Sequence, residues 1–304
     1  MKTVQEVLSS GTAYLETRGI EGARSSMQSM MAHVLGKNRT WLYLHMEDPL
    51  SEEVLTPLRD LLRKRGQGVP LQHLLGSVEF LRREFRSDAR ALIPRPETEE
   101  LVELALRITP RRRGMRVLDM GCGSGVIGIS LALELKDLQP DVVMADISSD
   151  ALSLTLENAT GLAARVRTYR SDLFSAWQPA GEEETRIIPP APFDLALANL
   201  PYVPEAEKVS IEVQHDPATA LYGGADGLDL VRRFLAEALP YLAPEALVML
   251  EVGHDQGAAV LELMQQLGYE RCVLQCDMSG KARFPLGYAP KAPASDAEKE
   301  NGAE

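Results

Sequence analysis

The segment Asn199-Leu200-Pro201-Tyr202 follows a short apolar run and combines residue types that could hold a planar amino group. An amide or aromatic –NH₂ is a poor nucleophile because its lone pair is delocalised, so an enzyme must hold both N–H bonds and aim the nitrogen. The side-chain carbonyl of Asn199 and the backbone carbonyl of Leu200 could each accept one hydrogen. Tyr202 would offer a flat face, and Pro201 favours an extended Leu200. A strand-to-loop turn is the alternative interpretation, since Asn and Pro are common in turns.

A second motif, residues 116–132, is typical of a strand, a glycine-rich turn and a helix. Gly121, Gly123 and Gly125 would let the backbone pass close to a ligand, and the helix behind them would present free N–H groups. The next apolar strand ends in Asp146, where dinucleotide-binding folds place the carboxylate that holds ribose hydroxyls. These features predict a cofactor that contains a nucleoside.

The spacing of the glycine loop departs from that of NAD sites. Those sites carry Gly-x-Gly-x-x-Gly, whereas this chain has Gly-x-Gly-x-Gly with Asp119 two residues before it. The loop instead resembles the first motif of S-adenosylmethionine (AdoMet) methyltransferases. A glycine loop alone is weak evidence, but its combination with Asp146 and with Asn199-Leu200-Pro201-Tyr202 is strong.

Composition limits the classes of function. The chain has 304 residues, 45% of them hydrophobic, and a net charge of −12. No apolar run approaches the ~20 residues of a membrane span, and the N-terminus lacks an apolar signal core, so we expect a cytoplasmic enzyme without membrane contact. The three cysteines and five histidines show no metal-ligand spacing, which predicts no metal site. Since DNA binding usually depends on a basic face, we expect no direct DNA binding.

The first part of the chain predicts a separate helical unit. Apolar residues recur at helical spacing through residues 1–75, which indicates a small bundle. Met27, Met30 and Met31 share that spacing, and we expect them to pack in its core rather than form a recognition surface. Residues 76–90 contain two short runs that predict a β-hairpin linker.

The remainder, residues 91–289, predicts a larger α/β unit, and residues 290–304 lack apolar periodicity and should be disordered. Pro96 and the acidic residues after it mark the first helix start. Strands are predicted at 116–120, 141–146, 165–169, 193–198, 246–251, 271–276 and 283–288, and helices at 125–135, 149–161, 227–242 and 256–267. This alternation predicts a doubly wound, Rossmann-like, seven-stranded and mostly parallel sheet. Residues 179–185 should form a polar surface loop.

Ligands of such sheets bind outside the carboxyl ends of the strands. The glycine loop, Asp146, Asp172 and Asn199 all follow predicted strands. We therefore expect them to border a single crevice.

The chain resembles, almost from end to end, the peptide chain release factor glutamine methyltransferases, the HemK/PrmC family. The matching segments are 70–76 with Glu79-Phe80, 92–99, the glycine loop, 171–174, 199–202, 216–224 and 277–284. The stretch Arg95-Pro96-Glu97-Thr98-Glu99 is far more specific than the glycine loop, because generic AdoMet methyltransferases lack it. In two places this chain departs from the family pattern: Leu200 replaces the first proline of Asn-Pro-Pro-Tyr, and Asp216-Pro217 replaces Glu-Pro.

The resemblance implies transfer of a methyl group from AdoMet to the glutamine side chain of the Gly-Gly-Gln tripeptide in class 1 release factors. The cofactor-binding residues it implies are Asp119, Gly121, Cys122, Gly123, Ser124, Gly125, Asp146, Asp172, Leu173 and Asn199. The substrate-binding residues it implies are Asn199, Leu200, Pro201 and Tyr202, with Asn199 and Tyr202 catalytic. Release factors are the expected partners of a chain that we expect to be a monomer.

Two other interpretations remain open at this point. An adenine-N6 DNA or RNA methyltransferase would use the same clamp, because the amino group of adenine is also planar. The acidic charge and the lack of an added basic recognition domain argue against it. A catalytically silent AdoMet-binding protein is the other, because Leu200 departs from the family pattern.

Overall fold

The computed structural model describes residues 2–178 and 192–291. The polar loop predicted at 179–185 lies outside the described residues, and so does the predicted tail from residue 292 onward. Within the described ranges, no helix has both the length and the apolar character needed to cross a membrane.

Five helices form the N-terminal bundle. They are α1 (Val4–Glu16), α2 (Ala23–Leu35), α3 (Arg39–Leu44), α4 (Glu52–Arg65) and α5 (Leu71–Leu75). Thr3 and Glu6 begin α1 with a capping box, in which each side chain bonds the backbone N–H of the other. Met27, Met30 and Met31 are fully buried between the helices, which confirms that they pack in the core.

A β-hairpin, β1 (Ser77–Phe80) and β2 (Arg83–Arg86), follows the bundle. The rings of Phe80 and Phe85 meet edge to face, with their centroids 5.9 Å apart. Both rings belong to the core of the α/β unit, so the hairpin is packed onto that unit.

Seven strands and five helices make up the described part of the α/β unit. The helices are α6 (Pro96–Ile108), α7 (Val126–Glu134), α8 (Ser149–Gly161), α9 (Asp229–Ala238) and α10 (Gly257–Gln266). The strands are β3 (Arg116–Met120), β4 (Asp141–Asp146), β5 (Arg167–Arg170), β6 (Phe193–Ala198), β7 (Leu242–Leu250), β8 (Glu270–Cys276) and β9 (Ala282–Tyr288). Pro96 begins α6 as predicted, at a position where its missing N–H has no cost.

The sheet order is β5-β4-β3-β6-β7-β9-β8, and β9 runs antiparallel to the other six strands. The central strands β3, β4 and β6 are buried along nearly their whole length, as expected of parallel strands covered on both faces. The prediction of a doubly wound, mostly parallel, seven-stranded sheet is confirmed. After β3 the chain adds β4 and β5 on one side of that strand, and then β6 and β7 on its other side. The switch in strand order between β3 and β6 opens a crevice at their carboxyl ends.

The helix predicted at 227–242 is wrong at its C-terminal end. The structure ends α9 at Ala238, places a 3₁₀ turn at Leu239–Tyr241 and begins β7 at Leu242. Pro240, which has no N–H to donate, lies within this turn. The first residues of β7 pair irregularly with β6, and the exposed Glu245 has a positive φ of 60°, so the strand lacks a continuous apolar run there.

Candidate active site

A cavity of about 340 Å³ lies at the carboxyl ends of the central strands. Four segments that follow β3, β4, β5 and β6 contribute to its wall, namely residues 120–124, 146–148, 171–173 and 199–201. Its size lies within the range of roughly 300–1,000 Å³ that is usual for small-molecule sites. The crevice predicted from the sheet topology is therefore a cavity of ligand size.

The glycine loop is held in a left-handed conformation. Gly121, Gly123 and Gly125 have φ values of +71°, +54° and +88°, which other residues adopt only with strain. A Cβ added at Gly121 would also lie 2.8 Å from Cδ2 of Leu200. The loop therefore requires glycine for its conformation and for its close approach to the segment after β6.

Asp119 lies beneath this loop rather than on the cavity wall. It is fully buried, and its Oδ2 accepts a hydrogen bond of 2.8 Å from the backbone N–H of Gly128 in α7. Burial raises the pKa of Asp119 to about 7, and the bond from Gly128 opposes that rise. Asp119 thus connects the end of β3 to the first turns of α7, and it fixes the glycine loop from below.

Asp146 lines the cavity at the end of β4. Its two carboxylate oxygens accept hydrogen bonds of 2.9 Å from the backbone N–H groups of Gly123 and Ser148. A carboxylate can accept about four hydrogen bonds, so this side chain can still accept bonds from two hydroxyl groups in the cavity. Burial raises the pKa of Asp146, and hydrogen bonds from the backbone N–H groups of Ser148, Gly123 and Ile147 oppose that effect. The free acceptor positions of Asp146 fit the ribose hydroxyls of a nucleoside cofactor.

The segment after β5 brings two further predicted residues to the cavity. Leu173 is buried and has a positive φ of 48°. The hydroxyl of Ser171 holds this turn by donating to the Leu173 carbonyl at 2.6 Å. Asp172 also lines the cavity, and its carboxylate pairs with Arg233 of α9 at 3.2 Å.

Asn199 lies immediately after β6, on the opposite side of the glycine loop from Asp146. Its Nδ2 donates to Oγ1 of Thr98 at 3.1 Å. The Thr98 hydroxyl in turn donates to Oε2 of Glu251 at 2.7 Å. Thr98 belongs to the first turn of α6, and Glu251 directly follows β7, so three elements meet at this side chain.

Glu251 is a site residue that the sequence analysis missed. It is only 1% exposed, and its backbone N–H donates to the carbonyl of Ala198 at 3.0 Å, which sets it beside Asn199. Burial raises the pKa of Glu251 to about 7, and the hydrogen bond from Thr98 opposes that rise. Its position in the sequence was a usable signal, because a carboxylate directly after a buried parallel strand lies at the ligand-binding edge.

The chain from residue 201 to residue 227, here called the exit segment, closes the cavity on the side of Asn199. Val203 forms a bridge with Tyr222 inside this segment. The Nε2 of Gln256 fixes both ends of the segment, donating to the carbonyls of Tyr202 and Asp226 at 2.9 and 3.1 Å. The backbone that follows the clamp is therefore tied to the N-terminus of α10.

Asp216 anchors the middle of the exit segment. Its side chain is fully buried and accepts from Nη2 of Arg95 at 2.9 Å and from the backbone N–H of Ile93 at 3.3 Å. Pro217, directly after it, lines the cavity. These bonds connect the Arg95 stretch to the Asp216 stretch and hold both at the cavity.

Three of the predicted site residues are not on the cavity wall, namely Asp119, Gly125 and Tyr202. Gly125 is the residue that precedes α7, and its positive φ turns the chain into the helix. The Tyr202 side chain faces Glu251, Arg283 and Arg95, and burial raises its pKa to about 12. The role of Tyr202 as a flat face for the acceptor stays a prediction.

Comparison with known proteins assigns the family. Residues 6–76 match the family described as PrmC N-terminal domain, and residues 101–203 match that described as methyltransferase small domain. The release factor glutamine methyltransferase of Geobacter sulfurreducens is 35% identical over 94% of this chain and 96% of its own length. Those of Bacillus cereus and Deinococcus radiodurans are each 34% identical over 92% of this chain and cover 97% and 96% of their own lengths.

The chain belongs to the release factor glutamine methyltransferase family. Both matched regions correspond to parts of the structure described above. The N-terminal match covers the helical bundle, and the methyltransferase match runs from α6 through the glycine loop to the first residues of the exit segment. The resemblance inferred from the sequence is thereby confirmed.

Proposed function

We propose that this chain transfers a methyl group from AdoMet to the side-chain amide nitrogen of the glutamine in the Gly-Gly-Gln tripeptide of class 1 peptide chain release factors. One observation carries the proposal: the glycine loop with Asp146 and the Asn199 clamp border the same cavity of about 340 Å³. A cofactor and an acceptor bound there would be adjacent. Family membership supports the identity of the acceptor.

The residues of the cavity fit AdoMet. The carboxylate of Asp146 would hold the ribose hydroxyls, and the backbone of the glycine loop would lie beneath the methionine and ribose. Asp172 and Leu173 would lie beside the adenine, where the apolar side chain of Leu173 suits a flat ring. When bound, AdoMet supplies the methyl group on a reactive sulfonium, so the protein needs no strong base before attack.

The clamp residues would orient the acceptor nitrogen. Oδ1 of Asn199 and the backbone carbonyl of Leu200 each accept one N–H hydrogen, which directs the nitrogen lone pair towards the methyl carbon. As the C–N bond forms, the nitrogen gains positive charge, and these carbonyls stabilise it until a proton passes to water. Orientation of this kind can supply roughly 7–11 kcal/mol. Leu200 still provides the required carbonyl, although the family usually has proline there.

We infer that the bundle, residues 1–75, supplies the specificity for the protein substrate. A glutamine side chain offers few contacts of its own, so recognition needs surface outside the clamp. Nη2 of the buried Arg65 bonds Oε1 of Glu212 at 2.7 Å, which connects α4 to the exit segment. Release factor bound on the bundle would therefore lie next to the clamp.

We propose that the enzyme acts as a cytoplasmic monomer.

Labelled AdoMet distinguishes this function from methylation of adenine. The protein is incubated with the labelled cofactor and with either a class 1 release factor or adenine-containing DNA. We expect label in the release factor, and none when its Gly-Gly-Gln glutamine is replaced by Ala. Label in the DNA alone, or in neither acceptor, would refute the proposed function.

A further inference from the structure

We propose that Thr98 and Glu251 are positioning residues that fix the side-chain amide of Asn199 so that Oδ1, and not Nδ2, is presented to the acceptor amino group. The proposal rests on the proposed function, in which Oδ1 accepts a hydrogen from the acceptor. It assigns a role to a buried threonine and a buried glutamate that come from two elements outside the clamp.

The oxygen and the NH₂ group of a side-chain amide have nearly the same size and shape. Rotation of Asn199 by half a turn exchanges Oδ1 with Nδ2 at little steric cost, so only hydrogen-bond partners select one arrangement. The wrong arrangement would point N–H groups at the N–H groups of the acceptor. The clamp therefore needs a partner that accepts from Asn199 and cannot donate to it.

The chain Glu251–Thr98–Asn199 meets this requirement. An ionised carboxylate can only accept, so the single hydrogen of the Thr98 hydroxyl is donated to Oε2 of Glu251, at 2.7 Å. Oγ1 of Thr98 then has only lone pairs left, and its neighbour in Asn199, at 3.1 Å, must be the donor Nδ2. Since Asn199 lines the cavity, Oδ1 is the polar atom that remains for the acceptor.

The surroundings of Glu251 make this arrangement sensitive to pH. The titratable and charged groups that face it are Glu97 on α6, Arg283 on β9 and Tyr202 in the exit segment. Burial and Glu97 raise the pKa of Glu251, whereas the hydrogen bonds from Thr98 and from Asn199 and the charge of Arg283 lower it, and the result is about 7. A protonated Glu251 could donate to Thr98, whose hydroxyl could then donate to Oδ1 of Asn199 and reverse the clamp. The rate of methyl transfer should therefore fall as pH falls through about 7.

Two substitutions of Thr98 isolate the hydroxyl. Thr98→Val keeps the shape of the side chain and removes the hydroxyl, whereas Thr98→Ser keeps the hydroxyl. With release factor as substrate, we expect Thr98→Val to lower kcat by on the order of 10- to 100-fold, as the loss of one partner in a charged hydrogen-bond chain does. KM and AdoMet affinity should stay near their wild-type values, whereas Tm should fall because Glu251 and Asn199 lose a buried hydrogen-bond partner. Thr98→Ser should restore kcat to within about threefold.

The pH profile and an NMR signal test the orientation itself. The acidic limb of kcat near pH 7 should be absent from Glu251→Gln, because glutamine does not ionise; Asn199 also bonds Glu251 directly, so Thr98→Val should keep part of that limb. The side-chain NH₂ resonance of Asn199, assigned by its loss in Asn199→Ala, should exchange slowly in the wild type and rapidly in Thr98→Val. If Thr98→Val does not fold, the pH profile of Glu251→Gln decides alone.

The proposal would be overturned by a Thr98→Val enzyme with wild-type kcat, by equal losses in the Val and Ser variants, or by an acidic limb that persists in Glu251→Gln. Failure of the proposed function has a different signature, because the wild-type enzyme would then leave release factor unlabelled. Failure of the positioning role shows only in the variants, measured against an active wild type.

Discussion

In the proposed function, Asn199 binds the acceptor amide and Asp146 binds the ribose of the cofactor. Asn199 is bonded through Thr98 to Glu251, whereas Asp146 is bonded to the backbone of the glycine loop and of the turn before α8. The two side chains lie on opposite sides of β3 in the sheet order. Substitution of either residue should therefore affect one ligand and spare the other.

Asn199→Ala should largely abolish methyl transfer and leave AdoMet affinity within a few fold. The variant loses an oriented acceptor that acts as charge develops on the nitrogen, and the loss of one such group usually lowers kcat by about 10²–10³-fold. Steady-state kinetics with release factor and calorimetry with AdoMet measure the two effects. Near-normal turnover of the variant would show that the clamp is elsewhere.

Asp146→Ala should weaken AdoMet binding by about 1.5–3 kcal/mol, the usual range for hydrogen bonds to a charged group. Asp141→Ala is a matched control. Asp141 begins β4, at the opposite end of the strand from Asp146, and pairs with Arg167. Calorimetry should show a loss for Asp146→Ala only. Unchanged affinity in that variant would exclude its carboxylate as the ribose ligand.

At the scale of elements, the glycine loop is the part of the site whose conformation the sequence dictates most strongly. Gly121→Ala should lower AdoMet affinity, because the added Cβ meets Leu200 and the positive φ strains it. Gly114→Ala is the control: Gly114 has a similar φ of +69° but open space around it. We expect Gly114→Ala to cost about 1–2 kcal/mol of stability and to bind AdoMet normally. Equal AdoMet affinities in both variants would contradict a role for the close approach at Gly121.

The sequence predicts the buried strands well because each one is a nearly continuous apolar run between turn residues. It misplaces the end of α9 and the start of β7, where an irregular pairing with β6 and the exposed Glu245 remove the usual pattern. The motif residues were identifiable because their spacing is local. The link from Thr98 to Glu251 was not, since it joins residues 153 positions apart and is a property of the packed elements.

At the scale of the whole molecule, the bundle and the α/β unit are joined at the exit segment through Arg65 and Glu212. Deletion of residues 1–75 should reduce methylation of release factor much more than it reduces AdoMet affinity. Removal of residues 290–304 should change neither. A folded truncation that methylates release factor at the full-length rate would refute the recognition role of the bundle, and a joint loss of Tm and AdoMet affinity would show that the bundle serves stability instead.

Two buried carboxyl groups should make the folded protein less stable as pH rises. Burial raises the pKa of Asp119 and of Glu251 to about 7, from ordinary values of 3.8 and 4.5. The folded state therefore holds these protons more tightly than the unfolded state, and the contribution of these two groups to the free energy of unfolding falls between about pH 4 and pH 7. Each group contributes up to about 1.4 kcal/mol per pH unit in that window.

Asp119→Asn and Glu251→Gln should each flatten this pH dependence, because neither amide ionises. Urea unfolding of the wild type and of both variants, from pH 4 to pH 8, measures the change. Identical slopes in all three proteins would contradict the raised pKa values. The site would then tolerate two ionised carboxylates at no cost to folding.

The most direct test of the proposed function locates the transferred methyl group. Release factor is incubated with the enzyme and AdoMet that carries a trideuterated methyl group, and its proteolytic peptides are then sequenced by tandem mass spectrometry. We predict one trideuteromethyl group on the side-chain nitrogen of the Gly-Gly-Gln glutamine with the wild-type enzyme, and an initial labelling rate lower by about 10²–10³-fold with Asn199→Ala. A label on any other residue, or the same labelling rate with Asn199→Ala, would contradict the assignment of this site to glutamine methylation.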